Sequence, residues 1–228
     1  MALAAASALP FGSWTVGTWV GVDPGIRHMG HSSGSWWMPD DTRILYLEVN
    51  EARVADLMHK SGSARTGHNL ASLTGGFVHG MMSRCRLDTP WFVEVNSVPG
   101  NPVNHVCTGI FAAVTALCGR PVPINAGGAK KVMRHCLKKM ELELGIDDQN
   151  RPKRKRPAPK SNYTDNKAMG DAVGSWLLGR QATHHEADAI CCAIRGLLFE
   201  TRPLGLVVIS NAATRTLACS EREIETLL

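Results

Sequence analysis

Four side chains in this sequence have the types and the spacing that hard-metal chemistry needs: Asp23, Glu94, His185 and Asp188. Glu94 sits inside the apolar run WFVEVN, residues 91–96. A carboxylate there is costly to bury unless a cation or hydrogen-bond donors meet it, which favours a site over a plain core position. His185 and Asp188 lie three apart at the head of an apolar-striped segment, and on a helix that spacing puts both on one face. The other reading of this pair is capping and dipole matching by acids in a first helical turn. Asp23 opens Asp23-Pro24-Gly25, an ordinary turn tripeptide, so its residue type alone leaves structural and functional roles equally open. Carboxylates with an imidazole suit Mg2+, with Mn2+ as a substitute, better than a thiolate metal. Two such ions about 4 Å apart can activate a water and stabilise the leaving oxygen of a phosphodiester.

Such residues need a scaffold that brings them together. Residues 14–22 alternate loosely and stop at Asp-Pro-Gly, which reads as a strand ended by a turn. Residues 29–38 and 43–49 (RILYLEV) read as a second and a third strand, together an antiparallel meander. Residues 66–85 then take helical spacing despite four glycines. WFVEVN fits a buried parallel strand, 101–118 a helix, 121–124 a short strand, and 129–144 a helix with basic residues on its exposed side. Residues 165–178 and 185–199 are the last helices. The order predicts an α/β fold: a mixed five-stranded sheet, three antiparallel strands then parallel ones, flanked by helices. Sites in such sheets form beyond the carboxyl ends of strands, where Asp23 and Glu94 converge if their strands are neighbours.

Composition narrows the partner. The chain has 228 residues, 44% apolar and 20% charged, as a globular protein with one full core would. No apolar run reaches the roughly 18 residues of a membrane span, so no membrane association is expected. Residues 1–10 are Ala-rich and lack the basic start of a secretory signal, so residues 1–13 read as a flexible N-terminus. Seven cysteines, an odd number with no C-x-x-C unit, argue for buried free thiols in a reducing, intracellular compartment rather than a disulfide framework or zinc site. The net charge of +5 is concentrated: residues 130–160 hold eleven Lys or Arg against four Asp or Glu, a balance of +7, and the rest of the chain carries −2. A basic stripe of this kind is the footprint of a polyanion such as nucleic acid, or else a solvated loop.

Taken together, GVDPGIRHMG (21–30), VEVN (93–96) and HHEADAICCAI (184–194) resemble the three acidic motifs of RuvC-like Holliday junction resolvases. The likeness runs from 19 to 200 by order and spacing. It implies an RNase H-like fold and a metal-dependent endonuclease that resolves four-way DNA junctions by paired nicks. It makes Asp23 the first-strand acid, Glu94 the acid of the fourth strand and Asp188 the final helical acid. His185 falls where members carry a second Asp or a His. It further implies Mg2+ as cofactor and a homodimer, whose two-fold symmetry would match a four-way junction. On this reading residues 14–200 form the nuclease domain, with a basic connector at 145–162, and 201–228 are a C-terminal extension. The insertion RPKRKRPAPK (151–160) and that extension depart from the bacterial pattern and look closer to eukaryotic or viral branches.

Candidate DNA contacts are weaker. Lys130 and Lys131 follow Gly127-Gly128 near a helix start, where phosphate can dock, and Arg27 and His28 follow the first acid. Lys153, Arg154, Lys155 and Arg156 fit a DNA-contacting loop or a nuclear import signal equally. Lys167 precedes the penultimate helix, His184 is expected to point away from His185, and Trp36-Trp37 read as packing rather than base stacking. Two other functions compete: a ribonuclease on RNA/DNA hybrids using the same metal logic, and a DNA-binding protein whose acids are structural.

Overall fold

The fold is that of a computed structural model, which describes residues 14–56, 67–82, 85, 88–95, 103–117, 119–146 and 162–228. Residues 1–13, the basic run containing Lys153, Arg154, Lys155 and Arg156, and Cys118 lie outside the described residues. The first three strands, β1 (Trp14–Asp23), β2 (His28–Pro39) and β3 (Ile44–Asp56), form the expected antiparallel meander. Next come α1 (Gly67–Met82), β4 (Pro90–Val95), α2 (Val103–Ala116), β5 (Arg120–Asn125) and α3 (Ala126–Glu143). Both β4 and β5 run parallel to β1, giving the order β5-β4-β1-β2-β3. That order and those directions are an RNase H-like sheet. β3 runs on to Asp56, seven residues past the expected Val49, because it stays paired with β2 beyond a bulge at Ser33/Gly34.

The sheet has seven strands rather than five. After α4 (Asn162–Leu178) and α5 (His184–Thr201), the chain adds β6 (Gly205–Ser210), β7 (Thr214–Ala218) and α6 (Glu221–Leu227). β6 pairs in parallel with β3 from Ile44↔Gly205 to Val49↔Ser210, and β7 closes that edge antiparallel to β6. Leu206, Val208, Leu217, Ile224 and Leu227 are buried in the main core. The segment GLVVIS is an apolar run long enough for a strand, but nothing local says which sheet edge it joins.

Helices cover both faces. α3, α4, α5 and α6 pack on one face around Trp19, Leu45, Leu47 and Phe92. α1 and α2 cover the β1–β4 region of the other, around Val20, Val22, Trp91 and Val93. Trp36 packs against the main core, and Trp37 stacks on Tyr46 of the neighbouring strand with ring centroids 5.4 Å apart, so both are packing residues as expected. Cys107, Cys136, Cys191 and Cys192 are buried free thiols, but Cys219 is exposed and Cys85 half-buried. No helix among the described residues is long and apolar enough to cross a membrane.

Candidate functional site

Asp23 is the last residue of β1, and Glu94 lies one step beyond the last β1–β4 pair, Val22↔Val93. Side chains alternate across a strand. Val22 and Val93 face α1 and α2, so Asp23 and Glu94 both face α5. Two acids at the carboxyl ends of adjacent parallel strands therefore meet the same helix.

α5 can approach because the sheet beneath it lacks side chains. A Cβ on Gly21 of β1 would fall on the carbonyl oxygen of Ala189, and one on Gly30 of β2 on that of His185. Further along, a Cβ on Gly196 of α5 itself would collide with the Phe92 ring. With its backbone seated this low, α5 presents His185, Asp188 and Cys192, spaced i, i+3 and i+7, along the two acids. The His185 Nδ1 lies 2.7 Å from Asp23 Oδ2. The Cys192 thiol donates to Glu94 Oε2 at 3.9 Å. Cys192 was not singled out from the sequence, although it continues the stripe begun by His185 and Asp188.

Helix capping is done by other residues. The Thr183 side chain and Glu186 form a capping box, and Glu186 also accepts from Arg180 Nη2 at 2.8 Å. Asp188 is thus free of the capping duty that was its alternative reading. His184 bonds to α4 but does not point away from His185 as expected: its backbone N–H donates to Asp171 Oδ1 of α4 at 2.6 Å, and its Nδ1 lies 3.2 Å from the same oxygen. Its ring still sits 4.1 Å from that of His185, centroid to centroid, and the His28 ring 6.2 Å from His185. Burial, then the neighbouring His185, holds the His184 pKa below its usual value, and Lys167 acts in the same direction.

The electrostatics show how close the acids are. Burial, then the charge of Asp23, pushes Glu94 up to about 7, opposed by Lys130. Burial, then Asp23, then Glu94, pushes Asp188 up to about 8, again opposed by Lys130. Lys130 is an exposed residue of α3, which begins at Ala126 rather than at 129 because Asn125 caps it, its side chain accepting from Gly127 N at 2.7 Å. Gly127 and Gly128 therefore lie inside the first turn, and Lys130 and Lys131 in the second. Lys131 and Arg27 are both exposed, Arg27 on the turn that follows Asp23.

The donor types fit a hard divalent cation: three carboxylates and an imidazole, with negative charge that Lys130 offsets only in part. Among the described residues, no three His, Cys, Asp or Glu side chains are already drawn into a shell around a metal position. Asp23 is turned toward His185 instead.

No protein-family model matches the chain, and no curated protein matches it. Among solved structures it is similar to Thermus thermophilus RuvC, at a TM-score of 0.43 and 11% identity over 81% of this chain and 96% of that one. It is similar also to T. thermophilus RuvC in complex with Holliday junction substrate, at 0.43 and 12% identity over 81% of this chain and 95% of that one.

Proposed function

We propose that this protein is a metal-dependent endonuclease that cuts branched DNA, with the four-way junction as its substrate. The observation that carries the reading is the convergence of Asp23, Glu94 and Asp188 from β1, β4 and α5, close enough that Asp23 raises Glu94, and Asp23 and Glu94 both raise Asp188. Carboxylates forced together without a cation are costly to a fold, and a divalent ion relieves that cost. Asp23, Glu94, Asp188 and His185 would hold Mg2+ or Mn2+, with Asp23 turning from His185 to do so. Bound there, the metal supplies Lewis-acid activation of a water and stabilisation of the leaving 3′ oxygen.

The chain's own residues do the rest. Glu94 and Asp188 would shed their protons on loading, since their raised pKa values, about 7 and about 8, leave Glu94 near half-protonated and Asp188 mostly protonated at neutral pH. His185 sits within hydrogen-bond reach of Asp23 and is placed to orient that carboxylate or to carry a proton. Lys130 brings positive charge to the edge of the acid cluster, where a scissile phosphate would lie. The preference for branched DNA rests on the motif likeness, and a homodimer nicking opposed strands follows from the same likeness.

The test uses labelled four-way junction, linear duplex and RNA/DNA hybrid, each with and without Mg2+, beside Asp23→Asn. Paired, symmetric nicks in the junction alone, absent in the variant, are the expected result. Cleavage of the hybrid instead would transfer the reading to a ribonuclease. Binding with no metal-dependent cleavage of any substrate would sink the enzyme reading.

A further inference from the structure

Apart from Glu141 in its last turn, α3 carries its charged and imidazole side chains in two stripes. His135, Lys139 and Glu143 are spaced four apart and so lie along one side of the helix. The chain's C-terminal part engages all three. His135 Nε2 lies 2.6 Å from the Leu217 carbonyl oxygen, and Lys139 pairs with Glu223. Arg215 Nη1 donates to Glu143 Oε1 at 2.6 Å, while Trp176 of α4 donates to Glu143 Oε2 at 2.9 Å. This side is a clamp that fixes the roll of α3 about its axis.

The other stripe is Lys130, Lys131, Arg134 and Lys138. All four are exposed, and none pairs with an acid among the described residues. At about 100° per residue they fall within roughly 100° of arc, and at 1.5 Å per residue they extend about 12 Å along the axis. No acid interrupts the helix between residues 126 and 140. The stripe also has a direction: it begins at Lys130, which acts on Glu94 and Asp188, and leads away from them.

We infer that this face of α3 is the track on which the phosphate backbone of a duplex DNA arm lies as it leads to the acid site, with Arg134 and Lys138 as contacts beyond Lys130 and Lys131. The inference rests on the nuclease reading and adds to it the surface that holds the arm. Unpaired cations held at fixed spacing on a rigid helix release counterions from a polyanion without first breaking internal ion pairs. About 12 Å of helix matches some three or four phosphates of one strand at a rise of about 3.4 Å. The roll set by the clamp keeps the stripe outward.

The test measures binding of the full chain to a fluorescent four-way DNA junction in EDTA, by anisotropy, from about 50 to 200 mM salt. Arg134→Ala/Lys138→Ala is expected to weaken binding at least tenfold and to lower the slope of log K against log salt by about two, near 0.9 per lost contact. Arg134→Lys/Lys138→Arg should restore both, and Arg53→Ala, on the far β3 strand, should change neither. If the Ala pair melts early, Arg134→Gln/Lys138→Gln carries the same expectation. An unchanged slope and affinity would overturn the inference, as would an equal loss in Arg53→Ala, which would mean bulk charge alone. Because binding is read without metal, the two readings separate. A wild type that binds through this face and never cuts sinks the nuclease reading, whereas normal cutting with an unaltered double variant sinks the track.

Discussion

His185 Nδ1 meets Asp23 Oδ2 at 2.7 Å across 162 positions of chain. This contact ties the first turn of α5 to the end of β1 and sets the orientation of the acid that ends that strand. His185→Ala should free Asp23 and leave the carboxylates less well oriented. Loss of an orienting partner typically costs about 10–100-fold in metal affinity or activity. Mn2+ titration calorimetry and junction nicking would each read that loss. An unchanged Mn2+ affinity would remove His185 from the site.

Asp188→Asn tests whether the acids repel one another. The amide removes a charge that burial and two neighbouring carboxylates oppose. The metal-free variant is expected to be more stable than wild type at pH 8, by on the order of 1–2 kcal/mol, while nicking falls by at least about 100-fold. Thermal melting in EDTA checks the first half and junction cleavage the second. A less stable variant would mean that Asp188 has a stabilising partner instead.

The pH dependence follows from the same two groups. Their folded pKa values, about 7 for Glu94 and about 8 for Asp188, lie above the ordinary carboxylate values of 4.5 and 3.8. A raised carboxylate favours the fold while protonated, so this contribution is fully present below about pH 4 and is lost as pH rises through about 7 to 8. The metal-free protein should therefore melt at progressively lower temperature from about pH 5 to about pH 8 and level off above that. Mg2+ or Mn2+ should reverse the fall by replacing the protons. A melting temperature flat in EDTA across that range would contradict the clustering.

Gly30 and Gly21 are where α5 rests on the sheet. Gly30→Ala places a methyl against the His185 backbone. Overpacking of this kind costs about 1–3 kcal/mol, and here it lifts the turn that carries His185 and Asp188. Junction nicking should fall more steeply than stability. Full activity at reduced stability would show that the site tolerates a raised helix.

Leu206 of β6 is fully buried. Leu206→Ala should cost about 2–5 kcal/mol, as in a core rather than in a tail. Denaturant unfolding measures it, and a loss under about 0.5 kcal/mol, typical of a surface change, would make the C-terminal segment dispensable.

Much of the site could be read from local signals. Glu94 stood out because a carboxylate in WFVEVN needs a reason, and His185 with Asp188 because spacing by three defines a helix face. Cys192 continues that stripe by four more residues and passed unnoticed because a buried thiol in an apolar helix raises no alarm. Lys130 was legible as a basic residue near a helix start, but its influence on Glu94 and Asp188 needed the packing of α3 beside α5, where Gly128 admits the Arg195 side chain.

By itself the sequence determined the element types up to α5, the antiparallel-then-parallel order of the first five strands and the four candidate site residues, because periodicity, turn chemistry and the cost of burying charge act over a few neighbouring positions. Only the tertiary structure decided that β6 and β7 extend the β3 edge, that α5 sits on Gly21 and Gly30, and that His185 reaches Asp23. Each of these joins segments far apart in the chain. Strand pairing and helix seating are selected by the fit of whole surfaces, and no short window of residues carries that information.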